Sequence, residues 1–252
     1  MRTAKFLLTG LVSLSLLFGC TPVVTTDTTP PDEGMPDNSE TENTITEYVD
    51  LEPAAAYELT TSGNSDLVII DVSPRFEKGH LPNAINYYVG DGSLDEAIPG
   101  LDKNKTYLVY CHVDSASISG AEKLANASYP NVYRLKDNYP AWYAAGYPIE
   151  IPLMAVNDYS GSGSATRSFV DGIFMHTVKA DLADPAEGNF YEGWLVKGSE
   201  FFSTGKLEKD GDMYVLQFES NEDSRDYKTV VITEETEADD QPEEHVLEGE
   251  FE

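Results

Sequence analysis

The chain has 252 residues, 40% of them hydrophobic, and its 45 Asp and Glu against 16 Lys and Arg give a formal net charge of −29. A charge of this sign repels phosphate backbones, and no Lys- or Arg-rich stripe offsets it, so nucleic-acid binding is excluded. The 15 Tyr and 10 Phe exclude a wholly disordered chain, and an apolar run confined to the start excludes a polytopic membrane protein. The length suits one large or two small domains.

The first twenty residues have the two parts of a secretory signal. Met1–Lys5 carries two basic residues, and Phe6–Phe18 is an apolar run. The segment Leu17-Phe18-Gly19-Cys20 resembles the lipobox of bacterial lipoproteins. The resemblance implies that residues 1–19 are a signal peptide and that Cys20 is lipidated, which places the protein outside the cytoplasm in the cell envelope, attached to the membrane through its lipid. The alternatives are a plain signal peptide and a buried apolar strand.

Residues 20–46 are predicted to be a disordered acidic linker behind the lipid anchor. After Cys20 they are almost entirely Thr, Pro, Asp, Glu, Asn and Ser, with six carboxylates and no Lys or Arg. Such a segment cannot bury enough apolar surface to offset the loss of chain entropy on folding. We therefore expect the folded part of the protein to begin near residue 47.

Residues 47–151 alternate between predicted strands and helices. Three apolar runs have the length of strands, namely Leu67–Val72, Tyr107–Tyr110 and Asn131–Leu135. A helix is predicted over Ser117–Asn126, with Ser117 as its N-cap. Apolar strands separated by helices indicate a parallel sheet covered on both faces, and ligands bind such sheets beyond the carboxyl ends of the strands.

Cys111 lies at such a carboxyl end, as does Asp71. A cysteine between a buried strand and the N-terminus of a helix is surrounded by unpaired backbone N–H groups and by the positive end of the helix dipole. We expect these groups to favour the thiolate. The alternative is that Cys111 is a small buried hydrophobic residue.

Several motifs of this region resemble the rhodanese family of sulfurtransferases. Gly79–Asn86 matches the family's GHIPGAIN stretch, Cys111 its active-site cysteine, Ala121–Leu124 the helix behind that cysteine, and Trp142–Pro148 its closing WxxAGYP. The resemblance implies that Cys111 is catalytic and carries sulfur as a persulfide. It also implies a substrate-binding loop whose amides stabilise the anion, formed by His112, Val113, Asp114, Ser115, Ala116 and Ser117. It implies neither a cofactor nor a metal.

The loop departs from the family pattern Cys-Arg-x-Gly-x-Arg-Ser, because it reads Cys-His-Val-Asp-Ser-Ala-Ser from Cys111 to Ser117. Both arginine positions lack arginine, so we expect weak binding of thiosulfate, which is a dianion. Asp114 is expected to raise the pKa of the thiol. A cysteine phosphatase of the same fold is set aside, since its phosphate-clamping arginine would stand at Ser117.

Three further side chains are candidates for supporting the site. Asp71 is expected to pair with a nearby amide or with Arg75, and His80 to be a hydrogen-bonded structural histidine rather than a general base. Arg134 ends a strand that faces the cysteine loop, so it is a candidate for the missing cation. Asp137-Asn138 replaces a Gly-Gly turn of the family, and both residue types tolerate a left-handed backbone.

Residues 152–252 are predicted to be a smaller all-β, sandwich-like domain. Asp158–Ser164 is expected to be a linker or hairpin tip, and five β-rich stretches follow, namely Ser168–Leu182, Phe190–Val196, Met213–Phe218, Tyr227–Thr233 and His245–Phe251. Phe190–Val196 and the segments after it resemble the extracytoplasmic β-domain of anti-sigma-K-type regulators. Seven carboxylates between Glu234 and Glu244 form either a site for calcium or a cationic partner or, as we favour, a solvated acidic loop.

Two functions remain open. The first is an exported, lipid-anchored rhodanese-like sulfurtransferase in which Cys111 passes sulfane sulfur from an unidentified donor to a thiol acceptor. The second is a catalytically silent rhodanese fold that acts, together with the β-domain, as a binding or sensing module for a protein of the envelope. The composition of the loop favours the second function, and the presence of Cys111 favours the first.

Overall fold

A computed structural model describes residues 47–252, which belong to one compact unit. The predicted signal peptide, Cys20 and the predicted linker lie outside these residues. Within the described range, no helix is long and apolar enough to cross a membrane.

The first sheet of residues 47–252 has five parallel strands in the order β1-β5-β4-β2-β3. Their bounds are Val49–Leu51 for β1, Leu67–Asp71 for β2, Ala84–Asn86 for β3, Thr106–Tyr110 for β4 and Val132–Leu135 for β5. The central strand β4 is buried on both faces because its side chains alternate between two apolar cores. The predicted parallel α/β fold is therefore confirmed.

Helices cover both faces of this sheet. They are α1 (Pro53–Thr61), α2 (Ser93–Ala97), α3 (Asp114–Asn126) and α4 (Asn138–Ala144). Helices α1 and α4 pack on the face that carries Tyr110, and α2 and α3 pack on the face that carries Val109. A Cβ atom at Gly120 of α3 would lie 3.0 Å from Val72, so glycine lets α3 approach the sheet closely.

Helix α3 begins three residues earlier than the sequence indicated. Val113 is its N-cap, and Ser117, the predicted N-cap, lies inside the helix and donates its hydroxyl hydrogen to the Asp114 carbonyl over 2.9 Å. The reason is that Asp114 holds partners outside the helix, described below, which fix the first turn. A carboxylate at this position also interacts favourably with the helix dipole.

The second sheet of the described residues has nine antiparallel strands in the order β10-β9-β13-β14-β6-β7-β8-β12-β11. Their bounds are Ile149–Ala155 for β6, Ser162–Val170 for β7, Ile173–Asp181 for β8, Phe190–Lys197 for β9, Glu200–Lys206 for β10, Glu208–Asp210 for β11, Met213–Ser220 for β12, Thr229–Glu235 for β13 and Glu244–Glu250 for β14. The sheet curls until its two ends meet, since the rings of Phe202 on β10 and Phe218 on β12 are 5.8 Å apart. The predicted all-β region is confirmed, in a nearly barrel-like form.

Two turns differ from the sequence-based expectation. The stretch Ser168–Leu182 is divided by a tight turn at Asp171-Gly172, where both residues have positive φ, into the end of β7 and all of β8. The expected hairpin tip at Asp158–Ser164 is shorter than predicted because Ser162 already begins β7. The Asp171-Gly172 pair is a turn signal between two apolar stretches, whereas Ser162 and Gly163 carry no strand signal although they pair with β8.

The two sheets share one continuous core that contains Trp142, Ile149 and Phe251. His80 and Glu150 form an isolated antiparallel bridge, with N–H to carbonyl distances of 3.0 and 2.8 Å. Strand β6 runs across the predicted domain boundary between residues 151 and 152. The division of the chain at that boundary stays a prediction.

Candidate functional site around Cys111

Cys111 directly follows β4 and is held by its backbone. Its amide N–H donates to Asn138 Oδ1 over 3.1 Å, and its carbonyl accepts the Tyr139 N–H over 3.0 Å. Both partners belong to the first turn of α4. The side chain is 1% exposed and is a free thiol. The cysteine is thus placed at the carboxyl edge of the sheet but beneath the surface.

Burial decides the ionisation of this thiol. Burial raises the pKa of the Cys111 thiol above its ordinary value, whereas the N–H groups of Val113 and His112 lower it, and the Asp71 carboxylate raises it further. The expectation that the loop favours the thiolate is wrong, because loss of hydration outweighs the amides. The acid that raises the pKa is Asp71, rather than Asp114 as expected.

The predicted loop divides into two parts. The His112 ring stacks on the Tyr139 ring at 4.2 Å, and its Nε2 atom lies 3.2 Å from the Gly79 carbonyl oxygen. Burial lowers the pKa of His112, so its ring is a poor source of positive charge near neutral pH. Val113 is exposed, and the remaining loop residues form the first turn of α3.

The amides available to an anion are those before Ser117. The Ser117 N–H is directed to the Val113 carbonyl at 3.5 Å, as in an α-helix. The amides of Asp114, Ser115 and Ala116 precede the first helical hydrogen bond, so they have no carbonyl partner within α3. Together with His112 and Val113, they are the donors that the loop presents.

Arg134 reaches the loop, but its charge is already paired. Its Nε and Nη2 atoms each donate to a different carboxylate oxygen of Asp50 at 2.7 Å. Its Nη1 atom donates to Asp114 and, over 3.2 Å, to the Ser117 hydroxyl. Two carboxylates therefore neutralise the candidate for the missing cation, and Arg134 instead fixes the start of α3.

Asn138 connects this ion-pair cluster to the cysteine. While its Oδ1 accepts the Cys111 N–H, its Nδ2 donates to Asp114 over 3.0 Å. Asn138 is buried and has a φ of 59°, and Asp137 has a φ of 55°, so the left-handed turn predicted here is confirmed. The sequence indicated only the backbone turn, although a buried amide side chain in place of glycine was a signal of a further role.

Asp71 is the last residue of β2, and one of its two carboxylate oxygens accepts a hydrogen bond. Its Oδ1 accepts the Ser73 N–H over 2.8 Å, while Oδ2 is buried without a partner in the described residues. Burial raises the pKa of Asp71 to about 6. The expected amide contact is present, whereas Arg75 pairs with Glu252 instead, at 3.1 Å.

His80 is held by structural partners. Its ring stacks on Phe76 at 3.7 Å, its Nδ1 atom lies 2.9 Å from the Phe76 carbonyl oxygen, and its Nε2 atom lies 3.6 Å from Glu150. These contacts fasten the Gly79–Asn86 stretch to β6, as expected of a structural histidine.

Glu252, which follows the last strand of the second sheet, lies beside the loop. A carboxylate oxygen of Glu252 lies 3.9 Å from His112 Nδ1, and the Glu252 N–H donates to the Lys78 carbonyl over 3.0 Å. Sequence reasoning missed Glu252 because no local pattern links it to a loop so far back in the chain.

The described residues contain no group of three or more His, Cys, Asp or Glu side chains arranged to hold a metal ion. Within the acidic stretch, Glu234 accepts hydrogen bonds from the Ala186 N–H and from Asn189, both at 2.8 Å. The Glu234 carboxylate therefore already accepts hydrogen bonds from other groups of the protein.

Comparison with known proteins adds family relationships to this geometry. Residues 52–145 match the model of the rhodanese-like domain. The thiosulfate sulfurtransferase GlpE of Coxiella burnetii is 31% identical over 99 residues, which are 38% of this chain and 89% of that protein. The tRNA sulfurtransferase of Thermoplasma acidophilum is 41% identical over 81 residues, 31% of this chain, but the match spans only 16% of that relative's length. The crystal structure of a rhodanese-related protein from Thermoplasma volcanium is 26% identical, with a TM-score of 0.36, and covers 40% of this chain and 97% of the other.

Proposed function

Because this chain belongs to the rhodanese-like family, we propose that it is a sulfurtransferase in which Cys111 carries sulfane sulfur as a persulfide. The observation that carries the proposal is the position of Cys111. Cys111 follows the central strand β4 and precedes the first turn of α3. Five consecutive amides lie there. Those of residues 112 and 113 are near the sulfur, and those of residues 114–116 are free of helical hydrogen bonds.

The reaction has two balanced steps. The Cys111 thiol first loses its proton to solvent, and the thiolate attacks the outer sulfur of the donor, so a Cys–S–S bond forms and the donor's S–S bond breaks. With thiosulfate as donor, sulfite leaves with the bonding electron pair. The terminal sulfur of the persulfide is then attacked by a thiophilic acceptor, and Cys111 recovers its thiolate. The amides of residues 112–116 stabilise the negative terminal sulfur.

The site favours a donor that carries less charge than thiosulfate. Arg134 is neutralised by two carboxylates, and the low pKa of His112 leaves its ring mainly uncharged. A dianion therefore meets amides but no available guanidinium in the loop. An organic persulfide carries a single negative charge on its sulfur, and an inorganic polysulfide spreads its charge along a sulfur chain, so both depend less on such a cation.

The second candidate is a catalytically silent binding module of the cell envelope. The burial of the thiol favours this function, since a sulfur atom in a residue 1% exposed is shielded from a donor until the loop moves. Under this function the second sheet and the loop together contact an envelope protein. Replacing Cys111 with Ser would then leave partner pull-downs and the cellular phenotype unchanged.

The deciding experiment is the intact mass of residues 47–252, in which Cys111 is the only cysteine. The folded and reduced protein is exposed briefly to thiosulfate and, separately, to polysulfide, with Cys111→Ser as the matched control. We expect polysulfide to add one sulfur atom to the wild type alone, removable by cyanide as thiocyanate, and thiosulfate to add much less. No gain of sulfur from either donor would favour the binding module.

We further propose that the protein is an exported lipoprotein anchored through Cys20. The support is the basic start, the apolar run and the lipobox-like Leu17–Cys20. Cells expressing the chain should incorporate labelled palmitate, and Cys20→Ala should abolish the label. Label that survives this substitution would contradict the proposal.

A further inference from the structure

Arg167, on β7, is a buried guanidinium that the chemistry at Cys111 does not use. The residue is 1% exposed, and its guanidinium carbon lies 3.9 Å from the centre of the Phe251 ring and 6.0 Å from that of Tyr143. Its Nη1 atom donates to the Tyr227 carbonyl over 3.1 Å. Its Nε and Nη2 atoms are buried without a hydrogen-bond partner in the described residues.

Arg167 also lacks a carboxylate partner, which sets it apart from the other arginines of residues 47–252. Arg75 pairs with Glu252, Arg134 with Asp50 and Asp114, and Arg225 with Asp223. Arg167 is the most buried of these four arginines, in a chain with 45 acidic residues. Burying an unpaired charge is costly, and a negatively charged ligand would offset that cost.

The two unpartnered atoms define the shape of that ligand. Nε and Nη2 form one edge of the guanidinium, on which two parallel N–H groups bind two oxygens of one oxyanion. The same edge of Arg134 binds both oxygens of Asp50 at 2.7 Å, and that of Arg225 binds Asp223 at 2.9 and 2.8 Å. Arg167 presents this edge to no protein carboxylate.

The neighbours of Arg167 are donors as well. His176 is its direct cross-strand partner on β8, is buried, and has both ring nitrogens without a partner in the described residues. Burial raises the pKa of Tyr139 and the positive charge of Arg167 opposes this rise, and the buried Tyr139 hydroxyl also lacks a partner there. A neutral imidazole supplies one N–H, and a phenol supplies one O–H.

We propose that the Nε–Nη2 edge of Arg167 is a binding site for a small oxyanion, either a carboxylate or a sulfur oxyanion, enclosed between the second sheet and α4. Entry requires displacement of the Phe251 ring. This ring lines a surface cavity of about 270 Å³ with Lys78, Lys228, Glu250 and Glu252. The two lysines offset the two glutamates at the entrance. The site does not use the Cys111 thiol and does not rest on the proposed sulfur transfer.

Calorimetry on the full-length chain tests this site. The titrants are sulfate, thiosulfate and acetate, in chloride buffer at constant ionic strength, and all variants carry Cys111→Ser so that thiosulfate cannot react. Arg167→Lys keeps the charge but loses the two-donor edge. Arg225→Lys is the matched control, because its edge is already bound by Asp223.

We expect saturable binding that Arg167→Lys weakens by at least about tenfold and that Arg225→Lys changes by less than about threefold. Binding of acetate without sulfate or thiosulfate would assign a carboxylate ligand, and binding of sulfate and thiosulfate without acetate a sulfur oxyanion. Binding of all three would assign a site that accepts both classes of oxyanion. Absence of saturable binding by all three anions, or equal binding by Arg167→Lys, would overturn the proposal.

A second measurement needs no variant at Arg167. The Nε–H signal of Arg167 in a ¹⁵N-resolved NMR spectrum should shift during the same titration, with the midpoint found by calorimetry. A signal that does not move at anion concentrations that saturate the calorimetric response would overturn the site, whether or not Arg167→Lys folds.

Discussion

At the residue scale, the unusual feature of the cysteine loop is the chain of contacts from Asp50 through Arg134, Asp114 and Asn138 to the Cys111 amide. The family resemblance predicts arginines above the sulfur. This chain instead has an ion-pair cluster in which the buried Arg134 is paired with the exposed carboxylates of Asp50 and Asp114. Asn138 is the link that touches the cysteine, so a charge placed there acts directly on the thiol.

Asn138→Asp should raise the pKa of the Cys111 thiol. Aspartate is nearly isosteric and tolerates the positive φ, but it adds a negative charge beside Cys111 and replaces the donor to Asp114 with a second acceptor. We expect the midpoint of the pH profile for alkylation of Cys111 by iodoacetamide to rise by about one unit. Asp137→Asn, at the exposed neighbour, is the control and should shift it little. Superimposable profiles for Asn138→Asp and the wild type would contradict this role.

His176 should make the protein sensitive to acid. Burial and the charge of Arg167 lower its pKa to about 4 from an ordinary value of 6.5, so the folded state keeps it neutral while the unfolded state binds a proton. Stability is therefore lost as pH falls through this window. Between pH 8 and pH 5 the loss from this residue is about 2 kcal/mol.

The measurement is the free energy of unfolding of the wild type and of His176→Gln at several pH values. The difference between the two proteins is the relevant quantity, because the raised pKa of Asp71 has the opposite effect and destabilises the fold as pH rises from 4 to 6. A wild-type to variant difference that is constant from pH 8 to pH 5 would show that His176 does not titrate as described.

The candidate site was predictable only in part. Cys111, Asp71 and Arg134 end neighbouring parallel strands, so strand pattern alone brings them to one edge. Whether Arg134 is free or paired depends on Asp50, which reaches it through β1, a three-residue edge strand with no clear apolar pattern. The state of the thiol depends on burial by residues distant in sequence, which no local motif records.

At the scale of elements, the long buried strands were predictable and the short edge strands were not. Strands β2 and β4 are apolar runs because both of their faces are covered. In β1 and β3, Val49 and Ile85 are exposed, so burial leaves little trace in the sequence. The same reasoning explains why the sequence pattern predicts the start of α3 three residues too late. The first turn of α3 is fixed by side-chain partners and not by apolar periodicity.

Gly146, between α4 and β6, lies against the backbone of β7, where its carbonyl accepts the Phe169 N–H over 2.7 Å. Its φ is 80°, and a Cβ atom there would lie 2.0 Å from the Phe169 carbonyl oxygen. Gly146→Ala should therefore destabilise the protein by at least about 3 kcal/mol, combining left-handed strain with a backbone clash. Chemical denaturation provides the measurement.

Gly172 offers the matched control for this prediction. Its φ is 78°, but no atom lies within 4 Å of the added Cβ position. Gly172→Ala should cost only about 1–2 kcal/mol, the strain of the left-handed backbone itself. Equal losses for the two variants would show that the approach of Gly146 to Phe169 is unimportant.

At the scale of the whole molecule, the net charge of −29 acts on every anionic reagent that approaches Cys111. Salt screens this repulsion, so added salt should speed reactions with anions and leave reactions with neutral molecules nearly unchanged. Iodoacetate and iodoacetamide form a matched pair of thiol reagents that differ in charge.

We expect the ratio of the iodoacetate to the iodoacetamide rate at Cys111 to rise several-fold between about 10 mM and 500 mM salt. The rates are followed by mass spectrometry on the peptide that contains Cys111, which separates it from Cys20. A ratio independent of salt would mean that local amides, and not the overall charge, control the approach of anions.

The association of the two sheets lay beyond sequence reasoning. Each sheet follows from its own pattern of apolar residues, but their junction depends on single contacts such as the His80–Glu150 bridge and the Gly146–Phe169 hydrogen bond of 2.7 Å. Such contacts join polar backbone groups, which carry no hydrophobic signal.

The strand order of the second sheet also has a consequence for biogenesis. Strand β14 is the last of its strands along the chain, yet it lies in the middle of the sheet, between β13 and β6. Until residues 244–250 have been synthesised, the hydrogen-bonded pieces are β10-β9-β13 and β6-β7-β8-β12-β11, each with an unpaired edge. A ribosome, which delivers the chain from its N-terminus, therefore releases two open half-sheets, and a single late segment joins them. During that interval the exposed edges of these half-sheets are the part of the protein most in need of a chaperone.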